Sequence, residues 1–488
     1  MSGRSKRPFR VAIIGSGFGG IATAVKLKKG TSASFVIFEQ AAGVGGTWFE
    51  NRYPGCEVDI PSHAYSFSFL KYDWARTHAT QPELLKYAEH VVDTFELRPH
   101  VRLNTRVTKA EWDDGRQVYD VYTDLGEKHE FDAVVSAVGL LSVPRFPDWP
   151  GLDEFSGVAF HTSRWEPDHD LTGKTVAIVG TGSTAAQVVP ALAPNVGKLL
   201  VYQREPGWVE PKTERAFTPR ERAFYKHVPF AQRIHRLYLF AQGIRRFKAN
   251  DASSKKQKQM RAMCAAYIKS AIKDPAIQEA VTPDYPWGCK RPVIASTYYP
   301  TFNRSNVELV PHAVVRATPG GLVDATGTER DIDVLVMSTG FQPTRFLANI
   351  EIVGRKGTRL HDVWAHRASA FLGVTVPSFP NFFVLYGPNT NGGMSIIAQL
   401  ERQAEIAVSS IARLQKDGLR AVDTDASAAR GYVRWIDKQL ATHASAMNSG
   451  CNNYFHTASG DNVTQWPRTH FVYFVLTRIL RRRGLRFS

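Results

Sequence analysis

Two glycine-rich turns, 165 residues apart, constrain this chain more than any other feature. Gly15-Ser16-Gly17-Phe18-Gly19-Gly20 follows the apolar run Phe9–Ile14 and precedes a stretch that predicts a helix through about Lys29. Gly180-Thr181-Gly182-Ser183-Thr184-Ala185 follows Lys174–Val179 in the same way. A strand, a tight glycine turn and a helix open a dinucleotide-binding unit, in which backbone N–H groups at the helix start meet a pyrophosphate. The next strands are predicted at Ser34–Phe38 and Lys198–Tyr202. Each turn is followed, 24 residues on, by a charge, and the two charges are opposite: Glu39 after Gly15 and Arg204 after Gly180. A carboxylate there binds a bare ribose diol, whereas an arginine binds a 2′-phosphate. The pattern therefore predicts FAD at the first turn and NADPH at the second.

Both units also close alike. Phe131–Gly139 and Ile332–Gly340 are apolar runs ending on a small-residue glycine turn, which indicates two copies of one architecture. The expected fold class is α/β, with two Rossmann-like domains, the NADPH domain inserted in the FAD domain. The FAD domain takes residues 1–143 and returns over 341–488. The NADPH domain takes 144–340 and carries a helical insertion at about 210–285. Within that insertion Phe224–Phe247 is amphipathic and basic. It reads as a surface helix or as a cover over a substrate pocket, and such a helix can also lie on a membrane.

The net charge of +16 suits polyanions. The basic residues are scattered, apart from Arg4, Lys6 and Arg7 and the run Arg481–Arg483. Two bound dinucleotides account for that charge without a nucleic-acid partner. The four cysteines, Cys56, Cys264, Cys289 and Cys451, include no Cys-x-x-Cys pair. That excludes a flavin disulfide reductase, a zinc knuckle and a disulfide framework, leaves no metal site, and favours a reducing cytoplasm. No signal peptide and no integral membrane segment are expected. Oligomeric state is not legible.

Three further blocks are neither turn nor strand. Gly46-Thr47-Trp48-Phe49-Glu50-Asn51-Arg52-Tyr53-Pro54-Gly55-Cys56-Glu57-Val58-Asp59 is the first. The second is Phe155-Ser156-Gly157-Val158-Ala159-Phe160-His161-Thr162-Ser163-Arg164-Trp165, and the third Gly288-Cys289-Lys290-Arg291-Pro292. The second resembles Phe-x-Gly-x-x-x-His-x-x-x-Trp, the signature of type I Baeyer–Villiger monooxygenases. The first is similar to their companion motif, Gly-x-Trp-x-x-x-x-Tyr-Pro-Gly-x-x-x-Asp. The third is similar to their Lys-Arg-Pro block, and Cys451 with Trp466-Pro467 to their C-terminal segment. Glu166 departs from the family, which has proline or aspartate there.

The resemblance implies an NADPH-dependent flavoprotein monooxygenase that inserts one oxygen atom of O2 beside a ketone carbonyl, by way of a C4a-peroxyflavin, to give an ester or lactone. It implies Arg291 as the catalytic cation and Asp59 as its ion-pair partner. Negative charge develops on the reacting oxygens, and a guanidinium stays charged at any accessible pH. For FAD the candidate residues are Gly15, Ser16, Gly17, Phe18, Gly20 and Glu39, then Gly46, Thr47, Trp48, Asp59 and Tyr65, with Val107 and Asn389. For NADPH they are Thr181, Gly182, Ser183, Thr184 and Gln187 at the second helix start, Arg204 and Lys290 at the 2′-phosphate, and Trp466. His161 lies in the linker between the nucleotide domains and is read as a hinge. Alternatives are an N- or S-oxygenating flavin monooxygenase, since sulfides are possible substrates too, and a non-catalytic NADPH sensor.

Overall fold

The computed structural model describes residues 8–165, 169–393, 395–445 and 453–488. Glu166, Cys451 and the N-terminal basic residues lie outside them. The first glycine turn joins strand Arg10–Ile14 to helix Phe18–Gly30, followed by strand Ser34–Phe38. These strands pair in parallel, Val11 opposite Phe35, and extend into a five-stranded sheet. Its order is Phe382–Val384, Ala133–Ser136, Arg10–Ile14, Ser34–Phe38, Val101–Arg102. The edge strand Phe382–Val384 comes from far down the chain, so the segment after the second unit returns to complete the first sheet.

The second sheet is also five-stranded and parallel. Its order is Val307–Val310, Lys198–Tyr202, Thr175–Val179, Val334–Met337, Val158–His161. Ala133–Ser136 and Val334–Met337 are buried at every position, as parallel strands covered on both faces must be. Ligands of such sheets bind beyond the carboxyl ends of the strands, where both glycine turns stand. Two glycines are required by close approach. A Cβ on Gly20 would lie 1.9 Å from the Gly15 carbonyl oxygen, and one on Gly157 would lie 2.4 Å from that of Asp333.

Helix Ile396–Asp417 packs along Phe18–Gly30. Ile397, Leu400, Ala404, Ala407, Ile411 and Leu414 recur every three or four residues and are buried. Each large aliphatic side chain so buried stabilises the pair by about 1.5–3 kcal/mol. Gly418 ends the helix in the left-handed region, its N–H donating to the Leu414 carbonyl.

The insertion is helical as expected: Pro219–His227, Ala231–Phe247, Lys255–Ala271 and Pro275–Ala280. Thr218 and Glu221 form a capping box at the first of these, and Ser254 caps the third. A separate small core joins Trp208, Met260, Cys264, Tyr285, Trp287 and Cys289. The expectation of no disulfide framework is corrected to this extent: Cys289 is disulfide-bonded, while Cys56 and Cys264 are free. Sequence spacing carries no information about such a pairing. No helix among the described residues is long and apolar enough to cross a membrane.

Candidate active site

One continuous cavity of about 1050 Å³ opens between the two glycine turns and the helical insertion. That exceeds the ~300–1,000 Å³ of sites for drug-sized ligands. Gly15, Gly17, Phe18, Glu39, Gly46, Thr47, Trp48 and Val107 wall it on the side of the first sheet. Ser183, Thr184 and Gln187 wall it on the side of the second, and Asp59, Tyr65, Arg291 and Trp466 also line it. Leu239, Gln242, Met260 and Met263 contribute from the insertion, Asn391–Gly393, His443 and Phe455 from later loops.

Glu39 is buried at the tip of its strand. Its Oε2 accepts from the Ser16 N–H at 2.8 Å and the Ser16 hydroxyl at 2.7 Å, and its Oε1 from the Ala41 N–H at 2.9 Å. Hydrogen bonds to a charged acceptor contribute about 1.5–3 kcal/mol each, so the carboxylate is fixed in place. Ser16 and Gly20 thus sit behind the wall and build it. The helices that follow the turns have Gly17 and Gly182 as N-caps, with no side-chain cap on either. Their first N–H groups are left for an anion. A Cβ on Gly182 would meet nothing within 4 Å, so the second turn is open to a ligand. Both turns fit a dinucleotide pyrophosphate.

Arg291 and Asp59, 232 residues apart, meet on the cavity wall: Arg291 Nη2 donates to Asp59 Oδ2 at 2.9 Å. Asp59 is only 7% exposed, whereas the Arg291 side chain is 47% exposed. The carboxylate is therefore the buried anchor and the guanidinium the group presented to the cavity. Tyr65, Tyr386 and Tyr454 lie close enough to feel that charge. Burial pushes the Tyr65 phenol up to about 12, so it remains protonated.

Other residues take places that spacing did not reveal. Gln187 does line the cavity, yet its amide is spent on the first block: Oε1 accepts from the Tyr53 hydroxyl at 3.1 Å and Nε2 donates to the Glu57 carbonyl at 3.0 Å. Asn389 does not line the cavity. Its Nδ2 donates to the carbonyls of Asn462 and Gln465, and Asn391, two residues on, takes the wall position. Thr181, Gly182, Arg204 and Lys290 also stand off the wall. Arg204 is exposed, and Lys290 forms an ion pair with Glu205 close to it. Trp466 is both wall and core, with Trp435 and Tyr473 rings at 5.8 and 5.0 Å.

His161 ends strand Val158–His161 of the second sheet rather than lying in a linker, and its ring sits where the chain crosses between the units. Its Nδ1 accepts from the Ser163 N–H at 3.1 Å, so Nε2 carries the proton toward the Gly340 carbonyl at 3.1 Å. Burial lowers its pKa, and Phe146 and Phe341 flank the ring. Both nitrogens are occupied, and His161 does not line the cavity. Lys212 is a residue the sequence reading passed over. It is 1% exposed, lines the cavity and pairs with Glu57 and, at 3.1 Å, with Glu214. A lysine two residues past a short strand carries no motif, so only burial reveals it. Among the described residues no cluster fit for a metal ion occurs.

Comparison with known proteins agrees with this geometry. The family described as pyridine nucleotide-disulphide oxidoreductase matches residues 12–254. A Baeyer–Villiger monooxygenase of Streptomyces coelicolor is 40% identical over 467 residues, covering 94% of this chain and 89% of that protein. This chain belongs to the Baeyer–Villiger monooxygenase family. The closed crystal structure of a cyclohexanone monooxygenase superposes with a TM-score of 0.88 at 30% identity, covering 99% of this chain and all of that one. A complex of OTEMO with FAD and NADP superposes with a TM-score of 0.88 at 28% identity, again over 99% and 100%. Among the described residues, the cavity wall of this chain carries no cysteine pair of the kind that the matched family's description names. The cysteine on its cavity wall, Cys56, is a free thiol that burial pushes up to about 12, far from a reactive thiolate.

Proposed function

We propose that this chain is an FAD- and NADPH-dependent Baeyer–Villiger monooxygenase that converts a ketone and O2 to an ester or lactone. The observation that carries the reading is the Arg291–Asp59 pair on the wall of a cavity bounded by both glycine turns. FAD, when bound, supplies the redox chemistry that activates O2. Glu39 holds its ribose diol, and the Gly17 end of helix Phe18–Gly30 its pyrophosphate. Gly46, Thr47, Trp48 and Tyr65 border its ring system. NADPH rests on the helix start at Ser183 and Thr184, with Arg204 and Lys290 at the 2′-phosphate. For that, Lys290 exchanges Glu205 for the phosphate. Arg291 holds negative charge on the reacting oxygens, and Asp59 orients it. The FAD domain spans 1–143 and 341–488, the NADPH domain 144–340, and His161 is the hinge between them. An NADPH-consuming enzyme of this kind keeps the expected cytoplasmic location.

The test is a panel of linear and cyclic ketones supplied to the purified yellow protein. We expect ketone to accelerate NADPH oxidation and one ester or lactone to form per NADPH consumed. If sulfoxides form from sulfides while no ketone yields an ester, the assignment fails.

A further inference from the structure

Helix Ala231–Phe247 is turned inside out for a solvated helix. Several of its polar side chains face the protein, while Arg233 and Arg245 are exposed. Gln232 donates to the Tyr72 carbonyl at 2.7 Å, and the His235 ring meets His63 at 2.7 Å. Arg236 pairs with Glu401, and Arg246 with Glu210. Leu239 and Gln242 reach the cavity wall. Several large apolar side chains face out, although Ala231 and Leu239 are buried. Phe230 is 69% exposed, Ile234 64% and Leu237 63%, with Tyr238 and Ile244 also exposed. Their spacing puts them on one face of the helix. Phe240 meets the ring of His470 at 5.5 Å, which brings helix His470–Gly484 alongside, and Phe471 there is 65% exposed. A contiguous exposed apolar surface of this kind marks a contact with something less polar than water.

Charge says what that something is. Residues 219–248 hold eight arginines and lysines against one acid, Glu221, which is bonded to Arg215. Arg220, Lys226, Arg233 and Lys248 are exposed and have no carboxylate partner among the described residues. Arg478 and Arg481–Arg483 add cations on the neighbouring helix. A second copy of this surface would bring like charges together. A nucleic-acid backbone satisfies the cations and leaves the apolar face wet. An anionic bilayer satisfies both, phosphate headgroups at the rim and acyl chains against the face.

We propose that this surface seats the protein on an anionic lipid bilayer, with helix Ala231–Phe247 lying in the interface. The proposal does not depend on the monooxygenase reading. It would place the insertion, whose opposite face lines the cavity, next to a reservoir of lipophilic molecules.

The FAD-loaded full chain is sedimented with vesicles of phosphatidylcholine alone and of phosphatidylcholine with phosphatidylglycerol. We expect binding to the anionic vesicles to exceed that to the neutral ones by about tenfold or more. It should fall between about 0.1 M and about 1 M salt, as the screening length shrinks from about 10 to about 3 Å. The double variants Ile234→Glu/Leu237→Glu and Arg233→Glu/Lys248→Glu should each lose that binding, with FAD content and NADPH oxidation unchanged. The idea is overturned if neither vesicle pulls the protein down, if both bind it equally at either salt concentration, or if both variants bind like the parent. Dimers that the first variant dissociates, with no vesicle binding, would assign the face to a second copy instead.

Discussion

Arg291 combines permanent charge with a buried counter-ion that holds it in place. A guanidinium offers several donors in a fixed plane, so one edge can bind Asp59 while the rest faces the cavity. Arg291→Ala should keep FAD bound, with its yellow absorbance, and lower ester formation by about 100-fold or more, the loss typical of one electrostatic donor. Product yield per NADPH measures it, and an unchanged yield would dismiss the residue. Arg204 acts on a different scale. In the proposed role, its exposed charge would add affinity for the 2′-phosphate and little else. Arg204→Ala should raise KM for NADPH by about 10–100-fold, matching the ~1.5–3 kcal/mol of a charge-assisted hydrogen bond, with KM for NADH nearly unmoved. Equal effects on both nucleotides would contradict the role.

At the scale of elements, the joints matter more than the sheets. The linkers run together where Pro144 pairs with Phe341, and His161 bonds to Gly340 at that crossing. Removing the ring unties the end of strand Val158–His161 from the Gly340 carbonyl, and the ring itself lies off the cavity wall. His161→Ala should therefore leave FAD content intact and change the rate of flavin reduction by NADPH on the order of tenfold, a gating effect rather than a loss of chemistry. Stopped-flow absorbance reads it, and a rate equal to the parent's would reduce His161 to a packing residue. The same logic explains Gln187 and Lys212. Both reach from the second unit to the block that ends in Asp59, so they tie the placement of the Arg291–Asp59 pair to the position of that unit.

Over the whole molecule, buried histidines set the acid limit. Burial lowers His63 to about 3, with His235 adding to the effect, and lowers His78 and His443 to about 4. In the unfolded chain the same groups titrate near ~6.5. Above that pH both states are neutral and the histidines contribute nothing. Below it the unfolded chain takes up protons that the folded one refuses, so stability falls steadily from about pH 6.5 toward about pH 4. The slope is at most about 1.4 kcal/mol per pH unit for each histidine. Calorimetry should show Tm several degrees lower at about pH 5 than at about pH 7.5. A flat profile would mean that these rings are reached by water in the folded state.

What could be read from the chain alone was what local geometry enforces. A strand, a glycine turn, a helix and a charge 24 residues on are set by near neighbours, and all three elements of each unit stand where the spacing put them. The signature blocks carried the family, because many fixed positions in a row admit few other readings. Tertiary structure alone decided which side chains meet. Asn389, read as an edge of the site, turned away because two carbonyls of the segment at 462–465 claimed its amide. Lys212 gained importance from burial beside Glu57, and an outward apolar face on a basic helix emerged only once its polar side had found partners. The bond from Arg291 to Asp59 spans 232 residues; the family resemblance implied it, and no periodicity reaches that far. Contacts across such distances are chosen by how whole units pack, which depends on every surface at once.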